Sequence, residues 1–145
     1  MIGLKFSTIQ IDDEALKSMI LKREVAPVRR CALLVERAAK ISMRKGGRSR
    51  VGLKSGKAST PPDPPNVQTG NLRNSITFAI IPIRRGITQG VSAIVGPTRT
   101  AWYGKIHEYG GEFGGRNYPA RPFMRPALAR VQSEFANEFR GAFHK

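Results

Sequence analysis

The chain has 145 residues, 25 of them basic and 10 acidic, which gives a formal net charge of +15 at pH 7. This length predicts a single domain over residues 1–145, with enough hydrophobic residues (40%) for one modest core. The charge indicates an acidic partner (nucleic acid, an anionic membrane or an acidic protein), with a merely soluble basic surface as the alternative. The single cysteine, Cys31, excludes an intrachain disulfide and lies among apolar residues that favour a buried, inert thiol. No apolar run is long enough to cross a bilayer, so no membrane-spanning segment is predicted. Of the three acidic partners that the charge allows, a membrane is the one not expected.

The N-terminal region lacks the basic-then-apolar pattern of a secretion signal, which favours a cytoplasmic protein. Alternating apolar residues over 4–11 predict a short strand, and the acidic residues 12–14 suit the start of a helix. Pro27 predicts a break or kink near Val25 and fits the first turn of a second helix, which ends at the glycines 46–47. The apolar face predicted for this second helix comprises Val28, Cys31, Leu34, Val35, Ala38 and Ile41.

Residues 44–68 have no hydrophobic period. Their first part is basic without a single acidic residue and their second part is rich in proline, which predicts a flexible basic loop followed by extended chain. Flexible cations neutralise phosphates without reading base sequence, so nonspecific contact with double-stranded DNA is expected. A solvated tether is the equally weighted alternative. The residues assigned to DNA are Arg44, Lys45, Arg48, Arg50, Lys54 and Lys57.

Regular structure is predicted to resume at Thr69, a candidate N-cap for a short turn of helix that places Leu72 and Ile76 on one side. Ile76 then begins a strand in which Pro82 indicates an edge or a bulge, and residues 89–96 form the second strand of a hairpin.

The C-terminal third is predicted to contain two helical segments. Residues 101–109 form a short helix or turn, and 110–117 form a glycine-rich loop. A final helix begins at Pro122 or Arg125. Its predicted core stripe comprises Leu128, Val131, Phe135 and Phe139.

The sequence contains no pattern typical of an enzyme. The two histidines, His107 and His144, do not have the spacing of zinc ligands. There is no nucleophile elbow, P-loop or dinucleotide fingerprint, and the ten acidic residues leave few candidates for a carboxylate pair. We therefore expect no catalytic residue, no metal and no cofactor.

The most distinctive segment is YPARPFMRPAL, residues 118–128, which we call the arm. Its three prolines fix backbone angles, and its two arginines present planar groups to carboxylates or carbonyls. Such a segment suits a stiff arm that docks a helix against a neighbour. An arginine that pairs with Glu108 inside the chain is as plausible as an intersubunit bridge. The residues expected to contact a neighbour are Glu108, Tyr109, Arg121, Phe123, Met124 and Arg125.

Three motifs, taken in order, resemble the tail-completion or neck proteins of long-tailed double-stranded DNA bacteriophages, often labelled phage morphogenesis proteins. PPNVQTGNLRNSI (64–76) is similar to the family's Pro-Pro, Thr-Gly-x-Leu-Arg-x-Ser-Ile pattern. VGPTRTAWYGKIHEYGG (95–111) is similar to its Val-Gly, Tyr, Glu-x-Gly pattern, and the arm is similar to its Pro-Ala-Arg-Pro-Phe ending. The N-terminal half matches only in basic helical character and departs in Pro27 and the basic insert at 44–57.

The resemblance implies an α+β fold, with a small antiparallel sheet flanked by a long N-terminal helix and a C-terminal helix. It implies a structural protein of the head–tail connector that forms a homo-oligomeric ring, a hexamer or dodecamer, around the DNA channel. Other connector and tail-tube proteins would be its partners, first in the host cytoplasm and then in the virion. A nonspecific nucleic-acid-binding basic protein is the alternative. The structural positions of the motifs would be Thr69, Gly70, Leu72, Ser75, Ile76, Gly110, Pro119, Pro122 and Pro126.

Overall fold

The computed structural model describes residues 13–43, 59–85 and 88–143. The strand expected over 4–11, the glycines 46–47 and the basic residues assigned to DNA lie outside the described residues. Within them the fold is α+β, as predicted: a long helix, two small antiparallel sheets and C-terminal helices.

The long helix α1 spans Asp13–Ser42 and packs against both strands of the larger hairpin and against the C-terminal helices. The break predicted near Val25 is wrong, because α1 continues through Pro27. A proline removes one backbone hydrogen bond from a helix, but helices in proteins are held mainly by the packing of their apolar face. The ring of Pro27 is fully buried and belongs to that packing.

The buried face of α1 is built largely from small residues. Ile41 is 62% exposed, so its predicted place in the core is wrong. Ala39, two residues earlier, is completely buried. Two residues correspond to a rotation of about 200° around a helix. Ile41 therefore lies opposite the packed face. The buried side chains of this region are Cys31, Ala32, Val35, Ala38, Ala39 and Met43.

A two-stranded antiparallel sheet follows the short helix α2 (Asn71–Ser75) and confirms the predicted hairpin. Strand β1 spans Ile76–Arg85 and strand β2 spans Thr88–Pro97. Pro82 pairs with Val91 in the register. Among the described residues each of the two strands has one side without a neighbouring strand, and a proline's missing donor is tolerated there.

The N-cap of α2 is Gly70 instead of Thr69. Gly70 has a φ of 86°, in the left-handed region that favours glycine. The hydroxyl of Thr69 accepts a hydrogen bond from the Asn71 N–H at 3.3 Å, so it supports the turn without capping the helix. Beyond this turn Ile76 is 1% exposed, and Leu72 packs partly buried against the core.

The glycine-rich segment 110–117 is a second hairpin and not the loop that was predicted. Its strands are β3 (Gly111–Phe113) and β4 (Arg116–Tyr118), which pair antiparallel. Gly114 and Gly115 join them with φ values of 58° and 71°, and two successive positive φ angles are what a tight two-residue hairpin turn requires. Helix α3 (Gly104–Tyr109) precedes this hairpin.

The C-terminal helix is divided. Helix α4 spans Met124–Val131, a short 3₁₀ turn covers Gln132–Glu134, and helix α5 spans Phe135–Phe143. The predicted core stripe is therefore correct only in part. Val131 is buried, Phe135 and Phe139 are partly buried, and Leu128 is 44% exposed. Ala127, which the stripe omitted, is 2% exposed.

One core cluster joins α1, β1 and α4. Its largest member is Phe123, which is completely buried. Within the described part of the chain, no helix is long and apolar enough to span a membrane. The buried members of the cluster are Val35, Ala38, Ala39, Met43, Ile76, Phe123, Ala127 and Val131.

Candidate functional site

The three motifs meet around one cavity of about 580 Å³, which we call the motif cavity. The first motif supplies much of the stretch 65–73. The second supplies Tyr103 and His107, and the beginning of the arm supplies Tyr118, Pro119 and Arg121. Met43, which directly follows α1, lies against the same space. Segments that are far apart in sequence thus form a single wall.

Backbone hydrogen bonds join the motifs to one another. The Thr98 N–H donates to the carbonyl oxygen of Ser75 at 2.9 Å, which connects the second motif to the first. The Arg121 N–H donates to the carbonyl oxygen of His107 at 2.6 Å, which connects the arm to the second. The Nε of Arg121 also donates to the carbonyl oxygen of Ser59 at 3.0 Å. These contacts fix the arm relative to α3.

Gly104, the first residue of α3, packs closely against Pro97 of its own motif and Leu72 of the first motif. A Cβ at this position would lie 2.8 Å from Cγ of Pro97 and 3.0 Å from Cδ1 of Leu72. We expect Gly104→Ala to lower the free energy of unfolding by about 1–3 kcal/mol through overpacking, although alanine favours helix. Urea unfolding measures this change. Gly96→Ala is the control, because nothing lies within 4 Å of its added Cβ, and an equal loss in both variants would contradict the close approach.

The carboxylate of Glu108 occupies the start of helix α4. Glu108 is 5% exposed. Its Oε2 accepts hydrogen bonds from the N–H of Phe123 at 2.8 Å and of Met124 at 2.9 Å, and its Oε1 accepts from the N–H of Arg125 at 3.0 Å. The first N–H groups of a helix have no partner within the helix, so this side chain caps α4 from a distance of 15 to 17 residues in sequence.

The side chain of Arg125 completes this arrangement. Its Nε lies 3.2 Å from Oε1 of Glu108, and one terminal nitrogen donates to the Glu108 carbonyl oxygen at 3.2 Å. The guanidinium also lies 4.9 Å from the ring centroid of Tyr109. Of the alternatives left open by the sequence, the intrachain pair with Glu108 is the one observed, and Arg125 forms it.

Glu108 is held in its charged form. Burial alone would raise the pKa of this carboxyl. The hydrogen bonds that it accepts lower the pKa by more; they come from the backbone N–H groups of Met124, Phe123 and Arg125 and from the Arg125 side chain. The pKa of Glu108 is therefore lowered from its ordinary value of 4.5. At neutral pH the start of α4 faces a full negative charge.

The predicted contact residues divide into buried and accessible groups. Phe123 and Glu108 are enclosed by their own chain, so in this structure they do not present a surface to a neighbour. Arg121 and Met124 are half-buried. Tyr109 is 62% exposed, and the Arg125 side chain is 64% exposed despite its bond to Glu108.

An exposed aromatic pair was missed by the sequence analysis. Trp102 is 55% exposed and Phe113 is 51% exposed, and their ring centroids lie 4.8 Å apart. The tip of the β3–β4 hairpin brings Phe113 against Trp102. Two glycines flanked by short polar and aromatic stretches were the available signal for this hairpin.

His107 lies on the wall of the motif cavity. Its pKa is lowered from 6.5, first by burial and then by the nearby charge of Arg121. The imidazole is therefore neutral at pH 7, with the ring of Tyr103 edge-on at 6.1 Å. The described residues include no group of three His, Cys, Asp or Glu side chains that could hold a metal ion.

Comparison with protein-family models, curated proteins and solved structures gives no match. Any assignment of function therefore depends on the three motifs, their geometry and the charge of the chain.

Proposed function

We propose that this protein is a structural component of a bacteriophage head–tail connector, which forms a ring around the DNA channel during tail completion. The observation that carries the proposal is the junction of the three motifs. Residues 64–76, 95–111 and 118–128 resemble one family in the same order, and they pack around the motif cavity and the Glu108 carboxylate. Motifs that together define a domain are expected to be in contact.

The surface chemistry supports a ring with DNA in its channel. The net charge of +15 suits a channel that tolerates DNA of any sequence. Because Phe123 and Glu108 are internal, we assign the contacts between subunits to the exposed groups Trp102, Phe113 and Tyr109. Identical copies that meet head-to-tail place this patch against a different surface of the next copy, and they form a cyclic ring when the rotation between copies closes, here in a hexamer or dodecamer. Its role is structural, with connector and tail-tube proteins as partners, and it passes from the host cytoplasm into the virion.

The ring predicts self-association that depends on the exposed aromatic pair. Sedimentation velocity and negative-stain microscopy of the purified chain should show a closed oligomer at high concentration. Trp102→Ala should weaken association about 30-fold, the effect of losing a 2 kcal/mol interface anchor. The fold should survive, because Trp102 is more than half exposed.

Ile94→Ala is the matched control, since Ile94 is a 62% exposed apolar residue on β2 that does not belong to the aromatic pair. It should leave the oligomer unchanged. A chain that stays monomeric at its highest soluble concentration, alone and with phage connector proteins, would contradict the ring.

A nonspecific nucleic-acid-binding protein is the second candidate, favoured by the same charge of +15. It leaves the three motifs without an explanation. Such a protein would remain small in the sedimentation experiment and would bind duplex DNA tightly by itself, with an affinity that falls steeply as salt is added.

A further inference from the structure

We propose that the motif cavity binds a carboxylate-bearing side chain from an acidic segment of a partner protein. This inference deepens the proposed function, because it names the chemistry of a connector partner at one site. It is argued from the charge, the shape and the remaining hydrogen-bonding capacity of the cavity wall.

The charge of the wall has one sign. Arg73 and Arg121 line the cavity together with His107, and no aspartate or glutamate belongs to its wall in the part of the chain that the structure describes. Nε of Arg121 is held by the Ser59 carbonyl oxygen. Among the described residues the two terminal nitrogens of Arg121 have no hydrogen-bond partner, so the guanidinium is oriented but still able to donate. A guanidinium donates two parallel hydrogen bonds to a carboxylate better than to any other side chain.

One part of the wall is apolar and suits an anion carried on an apolar stem. Met43, Val67 and Leu72 face the same space as the arginines. Met43 is 4% exposed, and the other two pack partly buried against the core. A glutamate or aspartate flanked by aliphatic residues matches this mixture. The phosphates of duplex DNA lie on the outside of a wide, hydrated polymer, and they are better met by projecting cations than by a concave pocket.

The partner at this site is a different protein and not a second copy. The chain has 25 basic residues and only 10 acidic ones, so a second copy offers few carboxylates to this cavity. Several of the described carboxylates are already engaged within the chain. Glu108 caps α4, Glu36 pairs with Lys40, and Glu138 pairs with Arg30.

Isothermal titration calorimetry of the full chain tests this proposal. The probe is the peptide acetyl-Gly-Leu-Glu-Leu-Glu-Gly-amide, and its matched control has glutamine in place of both glutamates. We expect the acidic peptide to bind one per chain and the glutamine peptide to bind about tenfold more weakly or not at all, since each charge-assisted hydrogen bond lost costs about that factor. No binding of the acidic peptide would overturn the proposal.

Variants locate the binding. Arg73→Gln and Arg121→Gln should each weaken the acidic peptide about tenfold, whereas Arg130→Gln should change it less than about twofold. Arg130 is an exposed cation of α4 that does not line the cavity. Arg130→Gln therefore removes the same charge as the other two substitutions without changing the cavity wall. Thermal unfolding checks that each variant is folded. If Arg121→Gln is unfolded because it loses the hydrogen bond to Ser59, the peptide affinity of Arg73→Gln decides whether the cavity is the binding site. Equal weakening by all three substitutions would mean general charge attraction and would overturn the site.

Competition separates the possible sources of the anion. If inorganic phosphate or a short DNA duplex displaces the peptide at a concentration no higher than that of the peptide, the assignment to a protein carboxylate is overturned.

The same samples are analysed by sedimentation velocity. Rings without peptide binding would contradict this inference alone, whereas peptide binding without rings would contradict the proposed ring alone.

Discussion

Glu108→Ala should lower the free energy of unfolding by about 2–4 kcal/mol. The substitution removes the acceptor of three backbone N–H groups at the start of α4, one of them buried and two part-buried. Loss of a helix cap costs about 1 kcal/mol, and each buried donor left without a partner adds about 1–3 kcal/mol before relaxation. Urea unfolding followed by circular dichroism measures the change.

The control for Glu108→Ala is Glu112→Ala, which removes the same charge from an exposed position on β3. Its effect should stay within about 0.5 kcal/mol. Glu108→Gln should fall between the two, because the amide keeps one accepting oxygen but loses the charge. If Glu108→Ala and Glu112→Ala unfold at the same urea concentration, the carboxylate does not hold the arm.

The same carboxylate predicts a dependence of stability on pH. The pKa of Glu108 is lower in the folded chain than in the unfolded chain, where it is near 4.5. The unfolded chain therefore binds the proton first, so the stabilisation is complete above pH 4.5 and is lost as pH falls through the folded-state pKa. Since other carboxyls also titrate there, the difference between wild type and Glu108→Gln isolates this group. A difference that stays constant from pH 7 to below pH 4.5 would contradict the assignment.

Phe123→Ala should lower the free energy of unfolding by about 3–5 kcal/mol, the usual cost of deleting a buried phenyl ring and leaving a cavity. Phe123 is completely buried in the cluster shared by α1, β1 and α4. Because small domains are stable by only about 5–15 kcal/mol, a large fraction of the molecules would unfold in mild urea. Denaturant unfolding, with comparison of the midpoint and slope, measures this effect.

Phe113→Ala is the control for Phe123→Ala, since it removes the same ring from a site that is 51% exposed. Its cost should be about 1 kcal/mol or less.

The comparison also tests whether the arm contacts its own core or a neighbouring copy. If Phe123→Ala keeps wild-type stability but fails to assemble, then Phe123 contacts a neighbour and not its own core. If Phe113→Ala alone impairs assembly, the exposed patch is the contact surface.

Local patterns in the sequence were sufficient for the elements that depend on neighbouring residues. The β1–β2 hairpin follows from alternating β-branched residues and the proline at its end, both of which act within the strand. Gly70 is a motif position that the resemblance implied, and its φ of 86° lies in the left-handed region that favours glycine. These features need no information about what packs against them.

Features that depend on tertiary contacts were not predictable in the same way. Pro27 would end an isolated helix, and only the packed face of α1 explains why the helix continues. The side-chain cap of α4 lies 15 residues away in sequence, at Glu108, so no local capping pattern could reveal it. Ala39 and Ala127 carry too little hydrophobic signal to be distinguished from exposed alanines, yet both are buried.

Cys31 offers a practical route to counting the subunits of an assembly. It is 8% exposed, and its pKa is raised above 9.0 chiefly by burial and also by Glu138, so at neutral pH it is a thiol and not the reactive thiolate. A fluorophore attached through maleimide to a cysteine newly placed on the surface would therefore mark each copy once, with little background from position 31. The number of photobleaching steps in a single particle would then give the stoichiometry directly.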